Sequence, residues 1–174
     1  MSTSKAAHIT DVEAGQVRLL RGRGVLRSTP LGSCIAVGAL DAADRVGAMA
    51  HIMLPGPAPA GSPGAARTRY AADALDEMLM QLHCAGARFE DLELAAVGGA
   101  NVLQRPDDAL CAANIRSVLR LLGQIGLCLS HQSLGGCVRR RLWIDVAEGA
   151  MYCADGDGEA HRFRVGGVVM AEEP

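Results

Sequence analysis

Short apolar segments separated by polar turns make up the first third of the 174-residue chain. Runs of this length, bounded by small and charged residues, are typical of β-strands rather than of helices. Two of the runs flank the sequence D-A-A-D-R, which has the composition of a hairpin connection. The pattern predicts strands over 16–20, 35–40 and 46–54, the last two joined by a tight turn at 41–45.

Helical periodicity begins only after the Pro/Gly/Ala-rich segment 55–64, which predicts a surface loop. Beyond it, apolar residues recur three and four positions apart, which indicates an amphipathic helix over 67–85 that ends near Gly86. A second helix is predicted to follow Asp107 and to end near Gly126. The apolar positions that carry these predictions are Ala71, Leu75, Met78, Leu79 and Leu82 in the first helix, and Leu110, Val118, Leu121, Leu122 and Ile125 in the second.

The strand pattern returns after each helix, which favours an α/β fold. We expect one domain over 1–174, a single-domain layered sandwich of mixed sheet and helices, with frayed ends at 1–8 and 167–174. The alternating pattern over 138–146 predicts an antiparallel or edge strand. The remaining predicted strands are 92–97, an apolar run at 127–134, 151–154 and 162–165.

Composition argues against several functional classes. The formal net charge is -2, so the chain is not built to neutralise phosphate backbones or to coat an anionic membrane. Aromatic residues make up 3% of the chain, which leaves no base-stacking platform for single-stranded nucleic acid. We therefore expect neither a nucleic-acid partner nor insertion into a membrane, since no apolar run approaches the length of a membrane span.

The six cysteines include no C-x-x-C pair, which argues against a zinc ribbon. The first residues lack the apolar stretch of a secretory signal, so a cytoplasmic location is expected. In that compartment an even number of cysteines does not imply disulfides, and most thiols act as small buried apolar groups.

One cysteine has a distinctive setting. Residues 28–34, S-T-P-L-G-S-C, form a turn of small residues that delivers Cys34 to the start of an apolar strand. Gly32 permits the close backbone approach that a substrate needs. If the strands on either side of 41–45 pair about a midpoint near residue 43, the position opposite Cys34 lies near residue 52, so Cys34 and His51 are close neighbours.

A thiol and an imidazole in contact can act as nucleophile and general base, because the imidazole can take the proton of a thiol that is mostly protonated at neutral pH. On spacing alone, however, packed core residues are the commoner explanation for a Cys and a His in apolar strands. The backbone N–H groups of Ser33 and Cys34 are candidates for an oxyanion hole, on the basis of turn geometry.

Four motifs, in order and spacing, resemble the CheD family of chemoreceptor glutamine deamidases. The resemblance extends over nearly the whole chain, and its L-G-S-C and H-x-M-L-P elements are the specific ones. It implies an α/β layered fold similar to the deamidating domain of cytotoxic necrotizing factor toxins. The motifs are T-P-L-G-S-C-I-A-V at 29–37, G-A-M-A-H-I-M-L-P at 47–55, V-G-G-A-N at 97–101, and the glycine pair followed by arginines at 135–141.

The resemblance implies a cysteine hydrolase that converts particular glutamine side chains of bacterial chemoreceptors to glutamate. The family also partners with CheC-type phosphatases, and hydrolysis of receptor methyl esters is a side activity of the family. By this resemblance Cys34 is the nucleophile and His51 the base, and a hydroxyl about six positions before the cysteine orients the histidine. That hydroxyl belongs to Ser28 or to Thr29.

The implied mechanism passes through a thioester and requires no metal or organic cofactor at any step. Two features depart from the family pattern: Cys137 and Val138 follow the late glycine pair, and the loop after His51 is rich in Pro and Ala. These departures motivate an alternative, a non-catalytic chemotaxis module that binds a CheC-type phosphatase or a receptor. A thiol redox switch rests only on the cysteine count.

Two further groups are candidates for contact with the substrate. Gly98, Gly99 and Asn101 could form a rim of the site, although a tight strand-to-helix turn explains them equally well. Arg139 and Arg140, together with Arg141, Arg162 and Arg164, form a basic patch. Such a patch could steer an acidic receptor surface, whereas a solvated strand face is the commoner explanation.

Overall fold

The computed structural model describes residues 8–163, which form ten strands and three α-helices. In chain order these elements are β1 (Ile9–Val12), β2 (Val17–Arg21), β3 (Val25–Ser28), β4 (Ile35–Asp41), β5 (Val46–Ile52), α1 (Gly64–Arg67), α2 (Ala71–Cys84), β6 (Glu93–Gly98), α3 (Ala109–Gln124), β7 (His131–Leu134), β8 (Arg140–Asp145), β9 (Ala150–Asp155) and β10 (His161–Arg162).

The strands form two five-stranded sheets. The outer sheet has the order β1-β3-β8-β9-β10, and the central sheet has the order β2-β5-β4-β6-β7. One pair in each sheet is parallel, β1 with β3 and β6 with β7, and the other pairs are antiparallel. Both sheets are therefore mixed, as predicted.

Two apolar cores give the molecule three layers. One core lies between the two sheets and includes Leu26, Leu142 and Ile144 from the outer sheet with Ala36 and Met49 from the central sheet. The other core lies between the central sheet and the helices α2 and α3. Strands β4 and β5 are buried along their whole length because both of their faces are covered.

Most of the predicted elements are confirmed, and the predicted α/β layered class is correct. The strand predicted over 138–146 is β8, which is antiparallel to both of its neighbours. The apolar run at 127–134 is a strand only from His131 onward. The predictions for 1–8 and 167–174 fall, apart from His8, outside the described residues, as does the end of the strand predicted over 162–165. The assignment of 1–174 to one domain stays a prediction.

The first predicted helix is wrong at its start. The chain forms the single turn α1, and then Tyr70 adopts extended backbone angles and makes a bridge with Leu54. Because Tyr70 is held in this extended geometry, α2 begins only at Ala71, whose amide donates to the Leu54 carbonyl at 2.9 Å.

Two short strands, β1 and β3, were not predicted. Only Val12 is fully buried in β1, and the outward residues Asp11 and Arg27 form an ion pair at 2.7 Å. Four-residue strands with so few buried positions leave no detectable period in the sequence. Among the described helices, none is both long and apolar enough to cross a membrane.

Candidate active site

The register of β4 and β5 places Cys34 and His51 on one face of the central sheet. Ala36 pairs with His51, and Cys34 lies two residues before Ala36. Because side chains alternate along a strand, Cys34 points to the same face as Ala36 and is a diagonal neighbour of His51. This face is turned toward the outer sheet, where Ala36 and Cys34 pack with the same core.

The predicted register is wrong by one residue. Asp41 pairs with Val46, so extending the ladder puts Cys34 opposite Met53 rather than residue 52. The difference matters because a shift of one residue moves a side chain to the other face of a sheet. With residue 52 opposite Cys34, His51 would have pointed away from the thiol. The tight turn is held by Asp41, whose carboxylate accepts from the amide of Asp44 at 3.0 Å.

The hydrogen bonds of His51 determine its tautomer. Its ring is 1% exposed, and Nδ1 lies 3.0 Å from the carbonyl oxygen of Val12. A carbonyl only accepts, so Nδ1 carries the proton and Nε2 has the free lone pair. Nε2 is buried and has no hydrogen-bond partner among residues 8–163. The ring therefore presents an unprotonated nitrogen that is free to act as a base.

Burial shifts the pKa values of His51 and Cys34 so that both side chains favour their neutral forms. It lowers the pKa of His51, an effect that the hydrogen bond to Val12 partly opposes. Burial also raises the pKa of the Cys34 thiol. At neutral pH the resting pair is thus a thiol and a neutral imidazole rather than a thiolate and an imidazolium.

The two hydroxyls left open by the sequence have different surroundings. The Ser28 side chain is 1% exposed, and its oxygen accepts a hydrogen bond from the amide of Leu142 at 3.0 Å, which joins β3 to β8. The Thr29 hydroxyl lies 3.4 Å from His51 Nδ1. Of the two, it is Thr29 that reaches the imidazole.

The turn before Cys34 has its carbonyl groups bound and its amides free. The carbonyls of Gly32, Ser33 and Cys34 accept from Ala100 N, Asn114 Nδ2 and Gly99 N, each at 2.8 Å. Among the backbone hydrogen bonds of the described residues, none has the amide of Ser33 or Cys34 as its donor. In a trans peptide the N–H points opposite to the C=O, so these two amides face away from the groups that hold the turn.

A pocket of about 680 Å³ opens beside Cys34. Cys34 itself is partly exposed, whereas His51 is buried and does not line the pocket. The pocket is lined by residues of the Cys34 turn, of the loop after β6, of the start of α3 and by Arg139, which precedes β8. These residues include Pro30, Gly32, Ser33, Cys34, Asn101, Leu103, Arg105, Asp108 and Cys111.

The glycine pair at the end of β6 supports the Cys34 turn and does not line the pocket. Gly98 has φ +120°, and a Cβ atom there would lie 2.2 Å from the carbonyl oxygen of Cys34. Gly99 has φ +66°, and its Cβ would meet Ile115 at 2.7 Å. Both positions require glycine because the backbone passes too close to its neighbours for a side chain. Of the three predicted rim residues, Asn101 alone lines this pocket, and its contact with a substrate stays a prediction.

Asn101 lines the pocket and braces the loop that follows. Its side-chain oxygen accepts from the amide of Arg105 at 3.0 Å, and its Nδ2 donates to the Arg105 carbonyl at 2.8 Å. This bracket holds Leu103, which is 68% exposed, at the edge of the pocket.

The predicted basic patch divides into residues with different contacts. Arg139 lines the pocket. Arg140 instead donates to the Gly135 carbonyl at 2.6 Å and pairs with Asp155 at 3.2 Å, so it does not reach the pocket. Arg141 lies 3.9 Å from Asp157. Arg162 is exposed on β10, and Arg164 lies outside the described residues.

Two residues that sequence reasoning missed lie beside the Cys34 turn. Asn114 and Cys111 are both buried on the inner face of α3. The sequence contained a signal for Asn114, because an asparagine on the apolar face of a helix is expected to be buried and to need hydrogen-bond partners in the interior. Cys111 is a second thiol of the pocket, but burial and a hydrogen bond with Asp108 raise its pKa to about 12, so it stays protonated at neutral pH.

Other features of the described residues bear on the chemistry. All six cysteines are free thiols. In the range 8–163, no three His, Cys, Asp or Glu side chains come together in a way that could hold a metal ion.

Comparison with known proteins places the chain among chemotaxis proteins. Residues 53–155 match the family described as CheD chemotactic sensory transduction, a segment that begins two residues after His51. The chain is 38% identical over 143 residues to a protein of Chlorobium luteolum named probable chemoreceptor glutamine deamidase CheD, which covers 82% of this chain and 71% of the relative.

Two further relatives carry the same kind of name. The chemoreceptor glutamine deamidase CheD of Thermotoga maritima is 31% identical over 79% of this chain and 85% of its own length. The probable chemoreceptor glutamine deamidase CheD of Rhizobium meliloti is 31% identical over 90% of this chain and 86% of its own length.

Proposed function

Because the chain belongs to the CheD family, we propose that it is a hydrolase that converts specific glutamine side chains of chemoreceptors to glutamate and releases ammonia. The similarity to named glutamine deamidases over most of the chain carries this proposal. The site supports it with an accessible thiol at a pocket, a neutral imidazole on the same sheet face, and two unpaired backbone amides.

The first step of the proposed mechanism is attack by Cys34. Nε2 of His51 takes the proton of the thiol, and the sulfur adds to the carboxamide carbon of the bound glutamine. The carbonyl oxygen becomes an oxyanion that the amides of Ser33 and Cys34 stabilise. By comparison with other oxyanion holes, one such donor is worth about 3–4 kcal/mol in the transition state.

The next steps release ammonia and then the receptor, which now carries a glutamate side chain. The imidazolium returns its proton to the amide nitrogen, the C–N bond breaks, and a thioester of Cys34 remains. The same imidazole, neutral again, takes a proton from water as the water oxygen attacks the thioester carbon. Breaking the C–S bond yields the glutamate side chain and restores the thiol.

Val12 and Thr29 orient the base in this proposal. The Val12 carbonyl accepts a hydrogen bond from Nδ1–H, which leaves Nε2 as the nitrogen that takes the proton of the thiol, and it stabilises the imidazolium that forms during attack. The Thr29 hydroxyl, at 3.4 Å from Nδ1, is the third polar group of the site.

The substrate in this proposal is the cytoplasmic domain of a chemoreceptor, and a cytoplasmic location for the chain follows from it. The glutamine enters the pocket between the Cys34 turn and the start of α3. Arg139, which lines this pocket, faces the acidic surroundings of the glutamine and assists docking. Association with a CheC-type phosphatase stays a prediction.

Peptide mass spectrometry tests the proposed reaction. After incubation with a receptor cytoplasmic fragment, specific glutamine-containing peptides should gain about 1 Da, because the NH2 group of the amide is replaced by an OH group. Cys34→Ala should abolish the gain. Cys84→Ala, which removes an exposed thiol at the end of α2, is the matched control and should keep it. No gain with the wild-type chain, or an equal gain with Cys34→Ala, would refute the proposal.

A further inference from the structure

Asn114 connects the turn that carries Cys34 to the strand that carries His51. It lies on α3 and is completely buried. Its Nδ2 donates to the Ser33 carbonyl at 2.8 Å and to the Met53 carbonyl at 3.0 Å. Ser33 precedes the thiol, and Met53 follows the imidazole by two residues, so one side chain holds both segments.

The chemistry of the partners fixes the orientation of this amide. Both partners are carbonyl oxygens, which only accept, so the nitrogen must be the end that faces them. An aspartate has no donor when ionised, and a serine has only one. The Oδ1 atom of Asn114 is buried and has no hydrogen-bond partner among residues 8–163. A buried acceptor without a partner lowers stability, so an apolar side chain would serve better if this position only filled space in the core.

The bond to Ser33 sets the direction of a catalytic group. The Ser33 carbonyl and the Cys34 N–H belong to one planar peptide unit, and the described residues contain no cis peptide. Because Asn114 is completely buried and does not line the pocket, holding the oxygen on it turns the Cys34 N–H away from that interior side chain. Ala100, whose amide donates to the Gly32 carbonyl at 2.8 Å, fixes the Ser33 N–H in the same way.

We propose that Asn114 is a positioning residue for the oxyanion hole: by holding the Ser33 carbonyl, it keeps the Cys34 amide aimed at the oxygen of the tetrahedral intermediate. The inference rests on the proposed deamidase function. Without Asn114 the Ser33–Cys34 peptide can rotate, and a rotated amide presents a carbonyl to the oxyanion instead of an N–H. The binding of glutamine in its ground state does not depend on this donor, so the loss falls on kcat and not on KM.

The test compares two reactions of the same sulfur. Deamidation passes through an oxyanion, whereas alkylation of Cys34 by iodoacetamide is a displacement that forms none. For Asn114→Ala we expect kcat for a receptor fragment to fall about 10- to 100-fold, with KM and the alkylation rate within about 2-fold of wild type. A general disturbance of the site would lower both rates together.

Ser117→Ala is the matched control. Ser117 lies one turn further along α3, is also buried, and its hydroxyl accepts from the amide of Gly56 at 2.9 Å. This variant removes a hydrogen bond between the same helix and another loop. Its kcat should stay within about 2-fold of the wild-type value, and its loss of Tm should be comparable to that of Asn114→Ala. Asn114→Ser, which retains one donor and fills part of the space, should give an intermediate kcat and replaces Asn114→Ala if that variant does not fold.

Three results would overturn the inference: an unchanged kcat in both Asn114 variants, an alkylation rate that falls in step with kcat, or an equal fall of kcat in Ser117→Ala. Its failure is distinguishable from failure of the proposed function. Deamidation by the wild-type chain that Cys34→Ala abolishes would leave the function standing, even if Asn114 proved dispensable.

Discussion

Gly98→Ala tests whether the backbone at the end of β6 holds Cys34 in place. At this position φ is +120°, and a Cβ atom would lie 2.2 Å from the Cys34 carbonyl oxygen, whereas real Cβ atoms essentially never approach closer than 3.0 Å. The carbonyl would have to move by at least about 0.8 Å. No flexible side chain can absorb this movement, because the obstructing atom belongs to the backbone.

The expected loss of stability has two parts. A non-glycine residue at this φ costs about 1–3 kcal/mol, and forcing an atom into filled space costs a further 1–3 kcal/mol or so. Together they amount to about 4 kcal/mol, which lowers Tm by roughly 8–16 °C in a chain of this size. The displaced peptide carries the nucleophile, and a misplacement near 1 Å can reduce the rate about 100-fold.

Gly126→Ala separates backbone strain from displacement of the site. Gly126 has φ +74° and nothing within 4 Å of its Cβ position. This control should lower stability by only about 1–2 kcal/mol. Thermal unfolding and receptor deamidation would be measured on both variants, with activity assayed below both Tm values. If Gly98→Ala matched Gly126→Ala in Tm and retained wild-type kcat, the steric argument would be wrong.

Four further predictions concern the polar groups of the site. Burial lowers the pKa of His51 below its ordinary value of 6.5, so the acid-side midpoint of the kcat/KM profile should lie below pH 6.5, and a midpoint above pH 6.5 would contradict the neutral pair. Burial raises the pKa of Cys34 above its ordinary value of 9.0, so in His51→Ala the alkylation rate at neutral pH should lie below that of a free thiol and the midpoint of its pH profile should lie above 9.0, whereas a rate faster than that of a free thiol would count against this. Ser28→Ala leaves the buried Leu142 amide without an acceptor and should lower stability by about 1–3 kcal/mol in thermal or urea unfolding. Thr29→Ala should lower kcat with a smaller change in stability, and a kcat that falls in Ser28→Ala but not in Thr29→Ala would exclude Thr29 as the third polar group of the site. Arg139→Glu should raise KM for a receptor fragment several-fold at low salt and less at high salt, and a salt-independent KM equal to that of wild type would remove the docking role.

Local patterns in the sequence were sufficient to predict the hairpin that carries both Cys34 and His51. The apolar strands and the D-A-A-D-R connection defined β4 and β5, and the L-G-S-C turn marked the end of the hairpin. Such patterns could not predict whether His51 lies on the same face of the sheet as Cys34. A shift of the turn centre by half a residue changes which face His51 occupies, and composition does not determine a turn that closely.

Contacts between distant segments account for the rest of what was missed. The Val12 carbonyl that fixes the tautomer of His51 belongs to β1, a strand too short and too exposed to show a period. Asn114 meets Ser33 across 81 positions of the chain, a separation over which sequence pattern carries no information. The division into two sheets likewise depends on the pairing of β3 with β8 and not on any single segment.

Mass spectrometry of the acid-quenched protein tests most directly whether Cys34 is the nucleophile. Mixed briefly with a receptor peptide that contains a susceptible glutamine, the chain should gain the mass of the peptide less about 17 Da for the ammonia released. Fragmentation should place the adduct on Cys34, and the adduct should disappear as glutamate product forms. Deamidation that proceeds without any adduct in the wild-type chain, or with an adduct on Cys111 instead, would contradict the account.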